Sequence, residues 1–156
     1  TVIGNRNFLM EGAHISHDTK IGDNCVFGYG TKIAGDCEIQ NGVIFSSSVI
    51  ENPQTRVGVG AMIQSGCRFS HDIPPYIVAS GSPISYGGIN STILKNHGID
   101  EKVQGDIANA YRLVFHGQTS VFDAVMQIKQ QVPDSVEIRN VIKFIEETKL
   151  GIIAKM

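Results

Sequence analysis

Residues 15–33 of the chain read ISHDTKIGDNCVFGYGTKI. In this stretch a bulky apolar residue returns at every sixth position: Ile15, Ile21, Phe27 and Ile33. The same spacing runs from Ile3 to Phe69, and a second register of mostly small or β-branched residues follows four positions after each bulky one. A period of six matches neither an α-helix nor an alternating strand, and it is typical of a parallel β-helix. The sequence therefore predicts short strands and turns that wind into coils.

Two kinds of residue in this repeat need separate interpretation. The three cysteines, Cys25, Cys37 and Cys67, all fall in the small register, so we expect them to be core residues. Their odd number and spacing predict neither a disulfide framework nor a zinc site, and a reducing compartment fits them. Glu51 is the one break in the bulky register. Because Asn52 and Pro53 follow it, we interpret the break as a local turn or bulge rather than a buried charge, and we assign Glu51 no role.

Composition excludes several classes of partner. The chain has 156 residues and a formal net charge of −2, without a run of Lys or Arg that would favour nucleic acid. No stretch approaches the roughly 20 apolar residues that span a bilayer, and no signal peptide is evident. We therefore expect a soluble, cytoplasmic protein. The repeat is already running at Thr1, which is compatible with a preceding segment.

The segment EGAHISHD, residues 11–18, concentrates polar groups in the repeat. The repeat resembles that of the hexapeptide-repeat family, whose left-handed triangular prisms use three hexads, or 18 residues, per coil, so twelve hexads predict four coils. In that frame His14 faces outward, and His17 and Asp18 lie at a corner. Residues 18 apart stack about 4.8 Å from each other, so we expect Gly35 over His17 and Asp36 over Asp18.

This predicted corner has the groups that acyl transfer needs. The imidazole of His17 is a general base, and Asp18 can orient it. Gly35 offers a backbone N–H that no side chain shields, which suits a developing oxyanion. An ordinary surface polar cluster remains an alternative interpretation.

Metal binding is the rival chemical use of the corner. γ-Class carbonic anhydrases share the predicted prism and bind a metal through three histidines. Here the third ligand is lacking, because His71 lies in the same corner column but three coils away, about 14 Å from His17. Since a catalytic zinc site needs three protein ligands, we predict no metal at this corner. A γ-carbonic anhydrase-like metalloenzyme stays as an alternative hypothesis.

Several stretches together resemble one enzyme family, the acyl carrier protein-dependent UDP-N-acetylglucosamine 3-O-acyltransferases, which start lipid A synthesis. The stretches are residues 7–18 (NFLMEGAHISHD), 33–35 (IAG), 72–76 (DIPPY) and 79–90 (ASGSPISYGGIN). The resemblance covers essentially the whole chain, as the C-terminal portion of the family's members. It implies a homotrimer with clefts between prisms, the substrates 3-hydroxyacyl-acyl carrier protein and UDP-N-acetylglucosamine, and no metal or dissociable cofactor. A non-catalytic trimeric fragment is a further alternative.

The resemblance also implies roles for individual residues. His17 matches the catalytic base, Asp18 its partner and Gly35 the oxyanion donor. The positions matched to substrate binding are His14, Asp36, Asn52, Asn90, Asn96 and His97. Four of these depart from the family pattern: many relatives have histidine at Asp36, a His-Gln pair at residues 52–53 and two arginines at residues 96–97.

The repeat is expected to stop at Pro74-Pro75, because proline cannot continue strand pairing. This gives a β-helix over residues 1–74, a connecting loop over 75–98 and a three-helix domain over 99–156. Each predicted helix has one apolar stripe, and Asp134 with Glu137 predicts the cap of the last helix. Acyl carrier proteins are acidic, but the tail from Lys95 onward has eight basic and eight acidic residues, which gives no net field.

Overall fold

The computed structural model describes residues 1–154, and within them the six-residue repeat forms twelve two-residue strands. Lys155, one of the eight basic residues counted in the tail, lies outside the described residues, as does the end of the predicted third domain. The twelve strands are β1 Val2–Ile3, β2 Phe8–Leu9, β3 His14–Ile15, β4 Lys20–Ile21, β5 Val26–Phe27, β6 Lys32–Ile33, β7 Glu38–Ile39, β8 Ile44–Phe45, β9 Ile50–Glu51, β10 Arg56–Val57, β11 Met62–Ile63 and β12 Arg68–Phe69.

The strands stack into three parallel sheets that enclose one core. Sheet A contains β1, β4, β7 and β10, sheet B contains β2, β5, β8 and β11, and sheet C contains β3, β6, β9 and β12. Paired residues are 18 apart throughout these strands, for example His14 opposite Lys32 and Lys32 opposite Ile50. The prediction of a parallel β-helix with four coils of 18 residues is therefore confirmed.

The second residue of each strand points into the prism, where Phe27 and Phe45 stack with ring centroids 5.1 Å apart. Burying one such side chain stabilises the fold by about 1.5–3 kcal/mol. The three cysteines are buried and free, as predicted. Glu51 corrects the sequence interpretation: it lies within β9, paired with Ile33 and Phe69, and it is fully buried. The repeat continues through this position without a bulge, so the carboxyl group enters the core.

The prolines at 74 and 75 do not end the sheet. Strand β13, Ile77–Ser80, pairs parallel with β11 and extends sheet B, and β14, Ser85–Ile89, pairs antiparallel with β13. Helix α1, Ser91–Asn96, follows. Residues 75–98, which we expected to be a connecting loop, therefore contain a β-hairpin and a short helix.

Three longer helices follow, α2 Glu101–His116, α3 Val121–Gln131 and α4 Val136–Glu146, and their buried faces are the predicted apolar stripes. The cap of α4 differs from prediction, because Ser135 accepts the Ile138 N–H while Asp134 pairs with Arg139. None of the helices within residues 1–154 is both long and apolar enough to cross a bilayer.

The helices pack directly on the prism. The Tyr111 hydroxyl donates to the Pro75 carbonyl at 2.5 Å, and the C-terminal segment bridges back to Asp72 through Ile152. Arg56 adds a second attachment, with its guanidinium 4.2 Å from the Phe144 ring centroid and close to Glu147. The helical region is thus fixed to the last coil.

Candidate active site

His17 and Asp18 lie at the corner between sheets C and A, where β3 ends at Ile15 and β4 begins at Lys20. Asp18 has φ 56°, a left-handed conformation that aspartate tolerates better than most residues. Both side chains are 73% exposed, and His17 Nδ1 lies 2.9 Å from Asp18 Oδ2. Because an ionised carboxylate only accepts hydrogen bonds, Nδ1 carries the proton. The lone pair of neutral His17 is therefore on Nε2, away from Asp18.

Gly35 lies one coil further on, directly beside the imidazole. The Asp36 N–H donates to the His17 carbonyl at 3.0 Å, which fixes the stacking of the two turns. A Cβ at Gly35 would lie 2.5 Å from both Cε1 and Nε2 of His17. Only glycine allows the ring to occupy this position, since real Cβ contacts are not that short.

The Gly35 amide is oriented from inside the prism. The buried Thr19 hydroxyl donates to the Ala34 carbonyl at 3.0 Å, so this carbonyl points inward. In a trans peptide the N–H points opposite to the carbonyl, and the Gly35 N–H therefore points outward from the prism. Among residues 1–154 it has no hydrogen-bond partner. The corner thus presents an imidazole and a free peptide donor side by side.

Asp36 brings a second carboxylate to the same corner. One ligand atom each from His17, Asp18 and Asp36 lies within 4.8 Å of the other two, and all three residues are exposed. The expectation that a third ligand is lacking rested on histidines alone, and the Asp36 carboxylate corrects it. One imidazole and two carboxylates could hold a divalent cation, although Asp18 already engages His17 Nδ1.

His14 and Asn52 lie on the same side of the prism. His14 is the first residue of β3 and is exposed on the outer face of sheet C. It is paired with Lys32 on the neighbouring strand. Asn52 is half-buried at the corner of the third coil, and its carbonyl accepts from the Thr55 hydroxyl at 2.8 Å.

The remaining predicted substrate residues lie at a different corner. Asn90 caps α1, is 5% exposed, and donates from Nδ2 to the carbonyl of Gly60 at 3.1 Å. His97 is exposed at the end of α1, near Gly42. Gly42 and Gly60 belong to the corner between sheets A and B. One chain therefore does not bring Asn90, Asn96 and His97 to His17.

Two cavities border these residues. A groove of about 750 Å³ begins at Asp36 and runs along sheet A past Arg56 to Leu150. A cleft of about 570 Å³ on the outer face of sheet B is lined by Met62, Ile93 and Asn96. The first cavity adjoins the His17 corner, and the second adjoins α1.

Sequence reasoning missed the polar residues behind the corner. Thr19, Cys37, Thr55 and Glu51 are all buried on its inner side. The signal was present as threonine in the small register and as the one carboxylate in the bulky register. The threonines were interpreted as repeat residues, and the carboxylate as a local turn or bulge.

Three sheets of 18-residue coils, with an exposed His–Asp pair at one corner, define a hexapeptide-repeat protein. The family model of the bacterial transferase hexapeptide matches residues 1–35, and that of UDP-N-acetylglucosamine O-acyltransferase, domain 2, matches residues 72–153. The chain belongs to the UDP-N-acetylglucosamine O-acyltransferase family.

Individual relatives agree with this assignment. The chain is 34% identical over 154 residues to the acyl-[acyl-carrier-protein]–UDP-N-acetylglucosamine O-acyltransferase of Syntrophobacter fumaroxidans, covering 98% of this chain and 60% of that protein. It superposes on LpxA, a UDP-N-acetylglucosamine acyltransferase from Bacteroides fragilis, with a TM-score of 0.93 and 43% identity, covering 94% of this chain and 58% of that one. For LpxA from Acinetobacter baumannii the TM-score is 0.95 at 29% identity, and the match covers 98% of this chain and 60% of that one. The chain thus spans about 60% of the length of the curated relatives it matches.

Proposed function

We propose that the chain transfers a 3-hydroxyacyl group from an acyl carrier protein to the 3-hydroxyl of UDP-N-acetylglucosamine, the first step of lipid A synthesis. The observation that carries this proposal is the imidazole of His17 lying against Gly35, with Asp18 on its Nδ1. The activity named for the relatives supplies the substrates. Both substrates would be met in the cytoplasm, where the three buried thiols stay reduced.

In the proposed reaction His17 Nε2 accepts the proton of the sugar 3-hydroxyl as its oxygen attacks the thioester carbon. Asp18 keeps the acceptor nitrogen free and stabilises the positive charge that the ring gains. The carbonyl oxygen becomes an oxyanion, and the Gly35 N–H donates to it. Collapse of the tetrahedral intermediate breaks the C–S bond, and the departing thiolate takes the proton from the imidazolium. His17 is then neutral again, and no cofactor is consumed.

The proposal includes a homotrimer. Asn90, Asn96 and His97 lie at another corner from His17, so a nucleotide sugar that contacts both groups must bridge two chains. The outer face of sheet B supports such an interface, because one outward column of five stacked strands is apolar: Phe8, Val26, Ile44, Met62 and Val78. His14 and Asp36 would then line the cleft near the sugar, together with Asn52.

Replacement of the base tests the catalytic proposal. We expect His17→Ala to lower kcat by about 10²–10⁴-fold, the usual contribution of a positioned general base. Transfer of a 3-hydroxyacyl chain to UDP-N-acetylglucosamine is followed by mass spectrometry of the product. His71→Ala is the matched control, since His71 is an exposed histidine in the same corner column. Unchanged turnover in His17→Ala would refute the assignment.

A metalloenzyme is the second candidate, favoured by the clustered ligand atoms of His17, Asp18 and Asp36. It requires a bound divalent ion for activity. Elemental analysis of protein purified in metal-free buffer, followed by assay after chelation, distinguishes the two candidates. We expect acyl transfer to be unchanged after chelation. An activity that the chelator abolishes, in protein that contains stoichiometric zinc or iron, would favour the metalloenzyme.

A further inference from the structure

Glu51 occupies a position inside the prism that apolar residues occupy on the neighbouring coils. It stacks between Ile33 and Phe69 and has no exposed surface. Its Oε1 is buried without a hydrogen-bond partner in the described part of the chain. Burying an unpaired charge is costly, and filling such a site with an apolar residue is often neutral or stabilising. A carboxyl group that persists here needs a reason other than stability.

The other oxygen of Glu51 is tied to the inner side of the His17 corner. Glu51 Oε2 lies 2.8 Å from the Thr55 hydroxyl, which is itself 2.8 Å from the Asn52 carbonyl. The Cys37 thiol contacts the Asn52 carbonyl at 3.3 Å and lies 3.8 Å from Thr55 Oγ1. These contacts join the corner turns of the second and third coils.

Counting protons shows which form of Glu51 fits this arrangement. The Thr55 hydroxyl has a single proton, yet two oxygen acceptors lie at 2.8 Å from it. Both contacts are hydrogen bonds only if protonated Glu51 donates to Thr55 and Thr55 donates to Asn52. If Glu51 is ionised, the Thr55 hydroxyl can donate its proton to the carboxylate or to the Asn52 carbonyl, but not to both.

Burial also favours the protonated form. Desolvation raises the pKa of Glu51 to about 8, against the lowering effect of its hydrogen bond with Thr55 and of the nearby Cys37 thiol. The Cys37 thiol is kept protonated, because burial, reinforced by Glu51, raises its pKa. Of the other charged groups nearby, Asp72 opposes ionisation of Glu51 and is itself close to Arg56, 3.9 Å away. Charged side chains on the flanking strands lie on the outer face of sheet C: Lys32 and Arg68.

The turn that Thr55 stabilises supports Gly35 directly. The Gln54 N–H in this turn donates to the Gly35 carbonyl at 3.1 Å. Releasing the Asn52 carbonyl therefore loosens the turn on which Gly35 rests. A change at Glu51 can therefore shift Gly35 through the turn that contains Gln54, and Gly35 lies against the imidazole of His17.

We propose that Glu51 is a positioning residue for the His17 corner: its protonated carboxyl, through Thr55, fixes the turn beneath Gly35, and loss of that proton releases the turn. This inference rests on the proposed function for its effect on turnover. Its structural part, the coupling of Glu51 to Gly35, stands without that function.

Two substitutions test the proposal. Glu51→Gln has an amide that can donate to Thr55 at every pH, so it reproduces the protonated state. Glu51→Ile has the side chain of Ile33, which fills the same slot one coil earlier, and it removes the donor. We expect the wild-type kcat to fall about tenfold between pH 7 and pH 9 relative to that of Glu51→Gln, because about a tenth of a group with a pKa near 8 is protonated at pH 9. We expect Glu51→Ile to fold with an equal or higher Tm, yet to have a kcat lowered at least threefold at pH 7.

A purely structural Glu51 gives a different result. Glu51→Ile would then keep the wild-type kcat, and the ratio of wild-type to Glu51→Gln turnover would stay constant across pH 7–9. Either result overturns the proposal.

Two readouts do not depend on turnover. The ¹⁵N shifts of Gly35 and Gln54 should follow one titration near pH 8 in the wild type and should not in Glu51→Gln. The wild-type Tm should also fall as pH rises from about 5 to about 8, since the unfolded state releases the Glu51 proton near the ordinary pKa while the folded state still holds it. Glu51→Gln should remove that fall. If the wild type lacks acyl transfer but these shifts titrate, the proposed function fails and the coupling stands; shifts that do not titrate refute the coupling.

Discussion

The contact between His17 and Gly35 depends on a side chain that is missing. Two turns of a β-helix stack about 4.8 Å apart, and an imidazole fits beside the neighbouring turn only where that turn has no Cβ. The same absence leaves the Gly35 N–H open to a ligand, while Thr19 holds the peptide in the orientation that points the N–H outward. One glycine thus provides the space for the His17 imidazole and, in the proposed reaction, the donor for the oxyanion.

Adding one methyl group at this position should disable the corner without unfolding it. In Gly35→Ala the new Cβ would overlap the His17 ring at 2.5 Å, so the exposed ring must move off the turn. We expect kcat to fall at least tenfold, because a misplacement of about 1 Å is costly in a positioned site, and Tm to change by only a few degrees. Gly105→Ala, where no atom lies within 4 Å of the new Cβ, is the control. Normal turnover in Gly35→Ala would exclude the proposed role of this contact.

At the residue scale, counting by eighteen was sufficient to predict the neighbours of His17. Gly35 and Asp36 are where the repeat places them, because strand stacking fixes the register of every corner. Glu51 was not predictable in the same way. The six-residue pattern predicts which side chain points inward, but it does not predict the groups that surround a buried carboxyl. Those groups are Thr55 and Cys37, on the turns that follow β9 and β6.

At the scale of secondary structure, periodicity predicted the apolar faces of the three long helices but not every boundary. Both Asp134 and Ser135 are good N-cap residues, and the sequence does not distinguish them. In the structure Ser135 has extended backbone angles and accepts the Ile138 N–H at 3.1 Å. The hairpin of β13 and β14 was missed for a related reason: the proline rule applies to residues 74 and 75, whereas pairing resumes at Ile77.

The two cap candidates of α4 can be separated by stability. Ser135→Ala removes the cap and should cost about 1 kcal/mol of unfolding free energy, the usual value for an N-cap serine. Asp134→Ala breaks an exposed ion pair with Arg139, so its effect should be smaller. Urea denaturation of both variants gives the comparison. A larger loss of unfolding free energy in Asp134→Ala than in Ser135→Ala would show that Asp134 is the N-cap of α4.

At the scale of the whole molecule, the three outer faces of the prism differ in chemistry. Sheet A presents Lys20, Glu38 and Arg56 to its outside, and sheet C presents His14, Lys32 and Arg68. The outer face of sheet B presents an apolar column from Phe8 to Val78, and this column borders the cleft beside α1. An apolar stripe of this length on a polar prism is typical of an interface. The predicted homotrimer therefore has one face to bury, and the His17 corner lies on the opposite edge of the prism.

A charge on the sheet B face tests this arrangement. Met62 points outward from β11 and is half-buried in the single chain, so Met62→Asp should leave the prism folded but place a carboxylate in the interface. Native mass spectrometry should give about three times 16.9 kDa for the wild type and a shift to monomer for Met62→Asp. Turnover should fall together with the trimer, since His17 and the residues of α1 then no longer meet across two chains. Val2→Asp makes the same chemical change on sheet A, at a side chain that is 64% exposed, and should alter neither mass nor turnover. A Met62→Asp chain that stays trimeric would move the interface to another face, whereas a monomeric variant with full activity would show that one chain alone completes the site.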